Sequence, residues 1–143
     1  KPDKLTPEEC AIMQTHSRLG RDAIELAEQD ADHSVEFLRL AKDIAHHHHE
    51  KWDGSGYPDG LVGEAIPIAA RLMALADVFD ALISWRVYKA PLSFERAVEV
   101  ISAGRGAHFD PAIVDAFLAC LDEFKAIATR HADCEASSPA KTV

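Results

Sequence analysis

The amino-acid sequence predicts an all-α fold, a compact bundle of helices in one domain. Three observations predict it. Apolar residues recur every three or four positions over most of the 143-residue chain, as on one face of a helix. Several of these stretches begin with a residue type that caps helices. No stretch alternates apolar and polar residues between hairpin turns, as a half-buried strand would.

The first helix has a strong start signal. Thr6 is a typical N-cap, Pro7 suits the first helical position, and Glu9 completes a capping box. The helix is predicted to run to about Leu19, where Gly20 ends or bends it. The chain is therefore predicted to open on a helix that ends or bends near residue 20.

Two further helices are predicted before the middle of the chain. One covers 21–28, and Asp32 or Ser34 can cap the next. The apolar residues of that next helix recur at helical spacing: Val35, Leu38, Ile44 and Ala45.

A loop rich in glycine and proline follows over residues 53–67. Its residues of this kind are Gly54, Gly56, Pro58, Gly60, Gly63 and Pro67. Such a concentration indicates a loop in which several backbone positions need unusual angles.

The second half of the chain is again helical. Pro67 opens a helix to about Ser84, which is apolar on most faces and is predicted to be the central buried helix. Ser93 caps a short helix that ends near Gly104. Asp110-Pro111 opens the last helix, predicted to end at about Arg130. We therefore expect one domain over residues 1–131 and a disordered tail over 132–143, where the sequence is small, polar and aperiodic.

Composition excludes several classes of function. The formal net charge is −9, so a basic surface that binds DNA is not expected. No apolar run reaches the length of a transmembrane helix. The three cysteines form no CxxC pair, which favours a reducing, cytoplasmic compartment.

The strongest chemical signal is a set of histidines and one aspartate. His48 and His49 are adjacent and precede Glu50, and Asp77 lies on an otherwise apolar helix. Neutral imidazole and carboxylate are ligands for Fe, Mn, Zn and Ni. Adjacent residues on a helix project about 100° apart, so the two histidines would not easily bind one metal together. They can serve two metals, or one metal and one substrate oxygen. Burying the carboxylate would be costly unless it bound a metal or formed an ion pair. Arg71 and Arg86 are the alternative partners.

Residues 48–82 resemble a known family. They read HHEKWDGSGYPDGLVGEAIPIAARLMALADVFDAL, which is similar to the signature of HD-GYP domains. The resemblance extends to residues 1–20, 86–91 and 108–117. It implies an HD-domain-like helical fold and a centre of two or three divalent metals, Fe or Mn first and Zn or Ni as alternatives. It also implies hydrolysis of cyclic di-GMP to pGpG or GMP in bacterial signalling.

The resemblance assigns roles to individual residues. The positions that match the family's metal ligands are His16, His48, His49 and Asp77. The positions that match its substrate-binding residues are Gly56, Tyr57, Pro58, Arg86 and Lys89, the last two as contacts to phosphate. His46 and His47 fall outside the ligand pattern and are expected to support the ligands or simply to pack.

The family's His-Asp pair, and a lysine three residues after it, lie upstream of the segment that resembles KPDKLT. Since the sequence starts at Lys1, no position here matches them and no catalytic residue is assigned. We therefore expect the chain as given to bind metal less tightly than a complete domain, and to show weak activity or none.

Two other readings of the sequence stay open. A catalytically incomplete domain would act as a cyclic di-GMP-binding module or through contacts with GGDEF-domain proteins, in a chain with a receiver or sensor domain. An HD-type phosphohydrolase for another nucleotide is the other reading, against which Arg86, Lys89 and the GYP motif argue.

Overall fold

The structure is a computed structural model that describes residues 5–29, 36–85 and 90–136, with side chains described as far as residue 130. These residues form seven α-helices and no β-strand, which confirms the predicted all-α class. The helices are α1 (Pro7–Gln14), α2 (His16–Gln29), α3 (Glu36–His47), α4 (Ile68–Ile83), α5 (Phe94–Ala103), α6 (Pro111–Ala119) and α7 (Leu121–Ala136). A short 3-10 turn, Gly63–Ala65, lies in the loop before α4.

The predicted capping box starts α1, but the helix ends earlier than predicted. The Thr6 hydroxyl accepts the Glu9 N–H at 3.2 Å, and the Glu9 carboxylate accepts the Thr6 N–H at 2.8 Å. The break falls at Thr15 and not at Gly20, which lies inside α2. A Cβ at Gly20 would be 3.4 Å from the Cβ of Ala45. That distance is an ordinary van der Waals contact between α2 and α3. The early break makes His16 the first residue of α2.

The core lies between α4, α5 and α6. Its buried side chains are Leu75, Phe79, Ala97, Ile101, Phe109, Ile113, Val114 and Phe117. Phe79 meets Phe117 edge-on with ring centroids 5.4 Å apart, a favourable geometry for aromatic pairs. α4 contacts α3, α5 and α6, so it is central as predicted.

Helix α4 is central, but it is less buried than its apolar sequence predicts. Ile68 and Leu72 are 55% and 53% exposed, and Asp77 is also exposed. Only the stripe that includes Ala70, Ala74 and Leu75 is buried. The cost of burying the Asp77 carboxylate therefore does not arise.

The predicted last helix is divided in two at Cys120. Cys120 leaves helical geometry with φ −115° and ψ 27°, and α7 begins at the next residue. This change of direction brings Phe124 onto Phe117, with ring centroids 4.8 Å apart. Helix α7 continues to Ala136, past the predicted end at about Arg130 and into the predicted tail. Residues 137–143 lie outside the described residues, as do the proposed caps Asp32 and Ser34.

The predicted starts of α5 and α6 are confirmed. The Ser93 hydroxyl accepts the Arg96 N–H at 3.2 Å, and the Asp110 carboxylate accepts the Ala112 N–H at 2.8 Å. The other oxygen of Asp110 binds Arg71 at 2.7 Å, which ties α4 to the start of α6. Among the described helices, none combines the length and the apolar character that crossing a bilayer would require.

Candidate metal centre

Three histidines converge at the end of α3. This helix ends at His47, so His48 and His49 lie in the turn that follows it. The Nε2 atom of His16, at the start of α2, is 3.0 Å from that of His49 and 3.4 Å from that of His48. The angle of about 100° between adjacent helical residues argued against two adjacent histidines on one metal, but both histidines lie past the last residue of α3, and their Nε2 atoms both approach that of His16.

The hydrogen bonds of these rings determine which nitrogen faces the centre. The Nδ1 of His16 donates to the carbonyl of Met13 at 2.6 Å, and the Nδ1 of His48 donates to that of Ile44 at 2.9 Å. A neutral imidazole carries one proton, so both Nε2 atoms present lone pairs to each other. Two lone pairs cannot form a hydrogen bond, and a cation between them would accept both.

The spacing and the partners fit a metal site. With bonds of about 2.0–2.1 Å, the ligand atoms of a tetrahedral zinc lie about 3.3 Å apart, close to the observed 3.0 and 3.4 Å. Metal-binding histidines usually donate their other N–H to a carbonyl or carboxylate, as His16 and His48 do. The donor set is therefore suited to a divalent transition metal.

His49 is in the protonation state that a ligand needs. Burial, with smaller contributions from the neighbouring His48 and His16, lowers its pKa to about 4, and the negative charge of Asp77 opposes this shift. At neutral pH the ring is therefore uncharged, and it has a lone pair to offer.

Asp77 acts on the same centre from α4. Burial is the larger influence on both neighbours, since it lowers the pKa of His49 and raises that of Tyr57. The negative charge of Asp77 raises the pKa of both groups. Arg71, one of the two partners considered for Asp77, is bound instead to Asp110. The other, Arg86, lies outside the described residues. The assignment of Asp77 as a metal ligand stays a prediction.

The Gly56-Tyr57-Pro58 segment packs directly on the histidines. The Tyr57 ring stacks on that of His49 with centroids 4.8 Å apart. The backbone N–H of Tyr57 donates to the His49 carbonyl at 3.2 Å. A Cβ at Gly56 would lie 2.4 Å from the backbone nitrogen of Lys51 and 2.5 Å from the His49 oxygen. Only glycine allows this close approach of the loop to the ligand segment.

A small cavity of about 190 Å³ opens beside Tyr57 and Pro58. Its other lining residues come from α1, the break after it and α2, and they include Arg18. Arg18 is a cation near the centre that sequence reasoning did not single out. Arg86 and Lys89, the predicted phosphate contacts, lie outside the described residues.

Glu50 anchors the loop, a role that the sequence analysis did not assign to it. It is 2% exposed, and its carboxylate accepts the N–H groups of Asp59 at 2.7 Å, Gly60 at 3.1 Å and Leu61 at 3.1 Å. Bonds from backbone N–H groups to a buried carboxylate are strong, so Glu50 ties the loop to the end of α3. The sequence shows only an acidic residue next to two histidines, and this pattern is equally compatible with a third metal ligand.

Glu50→Gln is expected to loosen this loop. The amide would place an NH₂ group against one of three N–H donors, and a buried donor left without a partner costs about 1–3 kcal/mol. At this size each kcal/mol lowers the melting temperature by about 2–4 °C. Thermal unfolding followed by circular dichroism measures this fall in melting temperature, and Glu64→Gln at an exposed position is the matched control. Equal melting temperatures for the two variants would show that Glu50 does not hold the loop.

The chain is similar to a known domain family and to several bacterial proteins. The family model described as "HD domain" matches residues 1–113. A "Probable cyclic di-GMP phosphodiesterase" of Vibrio cholerae is 54% identical over 96% of the chain and 31% of its own length. A "Cyclic di-GMP phosphodiesterase" of the same species is 56% identical over 93% of the chain and 27% of its own length. A "3'3'-cGAMP-specific phosphodiesterase 2", also from Vibrio cholerae, is 46% identical over 89% of the chain and 23% of its own length. The chain thus spans less than a third of each of these relatives.

Proposed function

The chain belongs to the HD domain family, in its HD-GYP branch, and from this premise we propose that it forms a metal-dependent phosphodiesterase domain that hydrolyses cyclic di-GMP to pGpG or GMP. The observation that carries the proposal is the convergence of the Nε2 atoms of His16, His48 and His49, while the Nδ1 atoms of His16 and His48 are already bonded to backbone carbonyls. Such an arrangement is stable when a cation occupies it.

The residues that would hold the metal are the three histidines and Asp77. A bound divalent metal polarises a phosphoryl oxygen and lowers the pKa of water, which is the chemistry that phosphodiester hydrolysis needs. Mixed imidazole and carboxylate ligands suit Fe or Mn, with Zn or Ni as alternatives, and we propose two or three ions for the family's complete centre.

The loop would position the substrate. Burial, and to a lesser extent Asp77, raises the pKa of Tyr57, so its phenol stays protonated at neutral pH and can donate a hydrogen bond. The Tyr57 ring stacks on that of His49, so the tyrosine side chain lies beside the proposed metal ligands. Gly56 and Pro58 would shape the same wall.

A dianionic substrate needs local positive charge on a chain with net charge −9. Arg86 and Lys89 are proposed to supply it at the phosphates, and Arg18 lines the cavity beside Tyr57 and Pro58. GGDEF-domain proteins and a receiver or sensor domain in the same protein are further proposed partners that rest on the family resemblance alone.

The substrate class is a cyclic dinucleotide, and cyclic di-GMP is the proposed member because the relatives at 54% and 56% identity carry its name. The relative at 46% identity is named for 3'3'-cGAMP, so this is the competing substrate. The two differ in one base, which leaves the metal chemistry at the phosphate unchanged.

The deciding experiment is a turnover assay with both cyclic dinucleotides. The protein is tested in its native sequence context, with metal content measured in the same preparation. We expect hydrolysis of cyclic di-GMP that a chelator abolishes and that added Mn²⁺ or Fe²⁺ restores. Faster hydrolysis of 3'3'-cGAMP would reassign the substrate, and turnover that the chelator leaves unchanged would contradict the metal mechanism.

Arg86→Ala and Lys89→Ala are expected to weaken substrate binding. A cation that meets the phosphate in both the ground state and the transition state changes KM more than kcat. Steady-state kinetics on cyclic di-GMP measure this, with Arg96→Ala as the control because Arg96 pairs with Glu99 on the exposed face of α5. Wild-type KM and kcat in both variants would mean that these two residues do not contact the phosphates.

A further inference from the structure

A second cluster of metal-ligand side chains lies beside the first, formed by His46, His47 and Asp59. We call it the His46–His47–Asp59 cluster. The Nε2 atoms of His46 and His47 are 2.9 and 3.4 Å from the same oxygen of Asp59, and the candidate ligand atoms all lie within 4.8 Å of one another. None of these residues matches a ligand position of the HD-GYP signature.

The cluster is held in place from both sides. His46 and His47 are the last residues of α3, and their rings meet edge-on with centroids 4.4 Å apart. Asp59 is fixed by its own N–H, which donates to the buried Glu50 carboxylate at 2.7 Å. The two rings and the backbone of Asp59 are therefore already in place, and the Asp59 side chain is bonded to His46 at 2.9 Å, which reduces the entropy cost of binding an ion.

The cluster is also open on one side. The side chain of His46 is 6% exposed and that of His47 is 16% exposed, whereas that of Asp59 is 38% exposed. An ion can therefore enter past the carboxylate and meet two largely desolvated imidazoles.

We propose that this cluster is a second metal site, which binds a transition ion such as Zn²⁺ or Co²⁺ through the two Nε2 atoms and the Asp59 carboxylate. The observed 2.9 and 3.4 Å bracket the separation of about 3.3 Å between ligand atoms that bonds of about 2.0–2.1 Å produce in a tetrahedral site. Two imidazoles with one carboxylate favour such ions over Mg²⁺ or Ca²⁺, which take oxygen ligands. Water would complete the coordination.

The second site is weaker than the first, and the hydrogen bonds of the rings give the reason. Among the described residues, the buried Nδ1 atoms of His46 and His47 have no partner, whereas His16 and His48 donate theirs to carbonyls. Loss of such partners costs about 10–100-fold in metal affinity. Arg18, 3.9 Å from Asp59, also competes with the ion for the carboxylate.

The alternative role of the cluster needs no metal. Each ring can carry its proton on Nε2 and donate it to Asp59, which makes the cluster a hydrogen-bonded tie between α3 and the loop. The two roles differ in one measurable way, since only a metal site adds a bound ion that depends on Asp59.

Equilibrium dialysis of the 143-residue chain against Zn²⁺, with Co²⁺ absorption as a second probe, distinguishes the two roles. In the variant His16→Ala/His49→Ala, which removes two ligands of the first site, we expect one Zn²⁺ per chain at about 10–100-fold higher free metal than the first site needs. Adding Asp59→Asn should remove that ion. Adding Asp53→Asn should leave it, because Asp53 is an exposed loop carboxylate bonded to Ser55.

A second set of variants keeps the first site intact. His46→Gln and Asp59→Asn, each alone, should lose the weaker of the two zinc-binding steps and keep the tighter one, with unchanged helical circular dichroism. The proposal is overturned if the weaker step is absent from the unmodified chain, or if it persists when Asp59 is replaced. Either result would identify the cluster as the hydrogen-bonded tie.

Discussion

Asp77→Ala is expected to reduce turnover of cyclic di-GMP by more than about 100-fold. Loss of a hydrogen-bond partner of a metal ligand typically lowers metal affinity or activity by about 10–100-fold, and loss of a direct ligand should cost more. Asp77 is exposed on α4, and its charge already acts on His49 and Tyr57. Without its carboxylate, the centre would lose its anionic ligand, and with it the metal that supplies the chemical step. Turnover and metal content are measured together, in the native sequence context.

Asp80→Ala is the matched control for this experiment. Asp80 is an exposed carboxylate on the same helix, and it accepts a hydrogen bond from Ser84 at 3.1 Å. It should keep wild-type turnover and metal content. An Asp77→Ala variant with full metal content and full turnover would remove Asp77 from the proposed ligand set.

Gly56→Ala is expected to have the largest effect on stability. The new Cβ would meet three backbone atoms of residues 49–51 at 2.4–2.5 Å, and backbone atoms cannot rotate away as a side chain can. Overpacking of this kind costs about 1–3 kcal/mol or more, and the upper end corresponds to a fall in melting temperature of roughly 6–12 °C at this size. The displaced segment carries His49, so affinity for metal should fall as well.

Gly60→Ala separates this steric effect from backbone strain. Gly60 has φ +66°, but a Cβ there would meet nothing closer than 3.5 Å. Alanine at a left-handed position costs about 1–2 kcal/mol, so this variant should be mildly destabilised and keep its metal affinity. A Gly56→Ala variant as stable as the Gly60→Ala variant would contradict the close approach of the loop to residues 49–51.

The described helices were largely predictable because their signals are local. The capping box at Thr6, the N-caps Ser93 and Asp110, and the start of α4 after Pro67 are all as the sequence predicts. Each depends on hydrogen bonds within a few residues, which sequence order specifies directly. The boundaries at Thr15 and Cys120 were missed because packing decides them, through the start of α2 at His16 and the return of Phe124 onto Phe117.

The sequence by itself determined the helical class and, through one long motif, the family and the residue types of the candidate centre. Only the tertiary structure decided which of those residues lie together. Glu50 and the histidines at 46–49 are adjacent in sequence, yet they divide into a loop anchor, two ligand candidates and a second cluster with Asp59. The division depends on whether each ring nitrogen bonds to a backbone carbonyl or contacts a side chain from a distant segment of the chain. That information exists only once α2, α3 and the loop are packed together, because no local pattern specifies a contact across 32 residues.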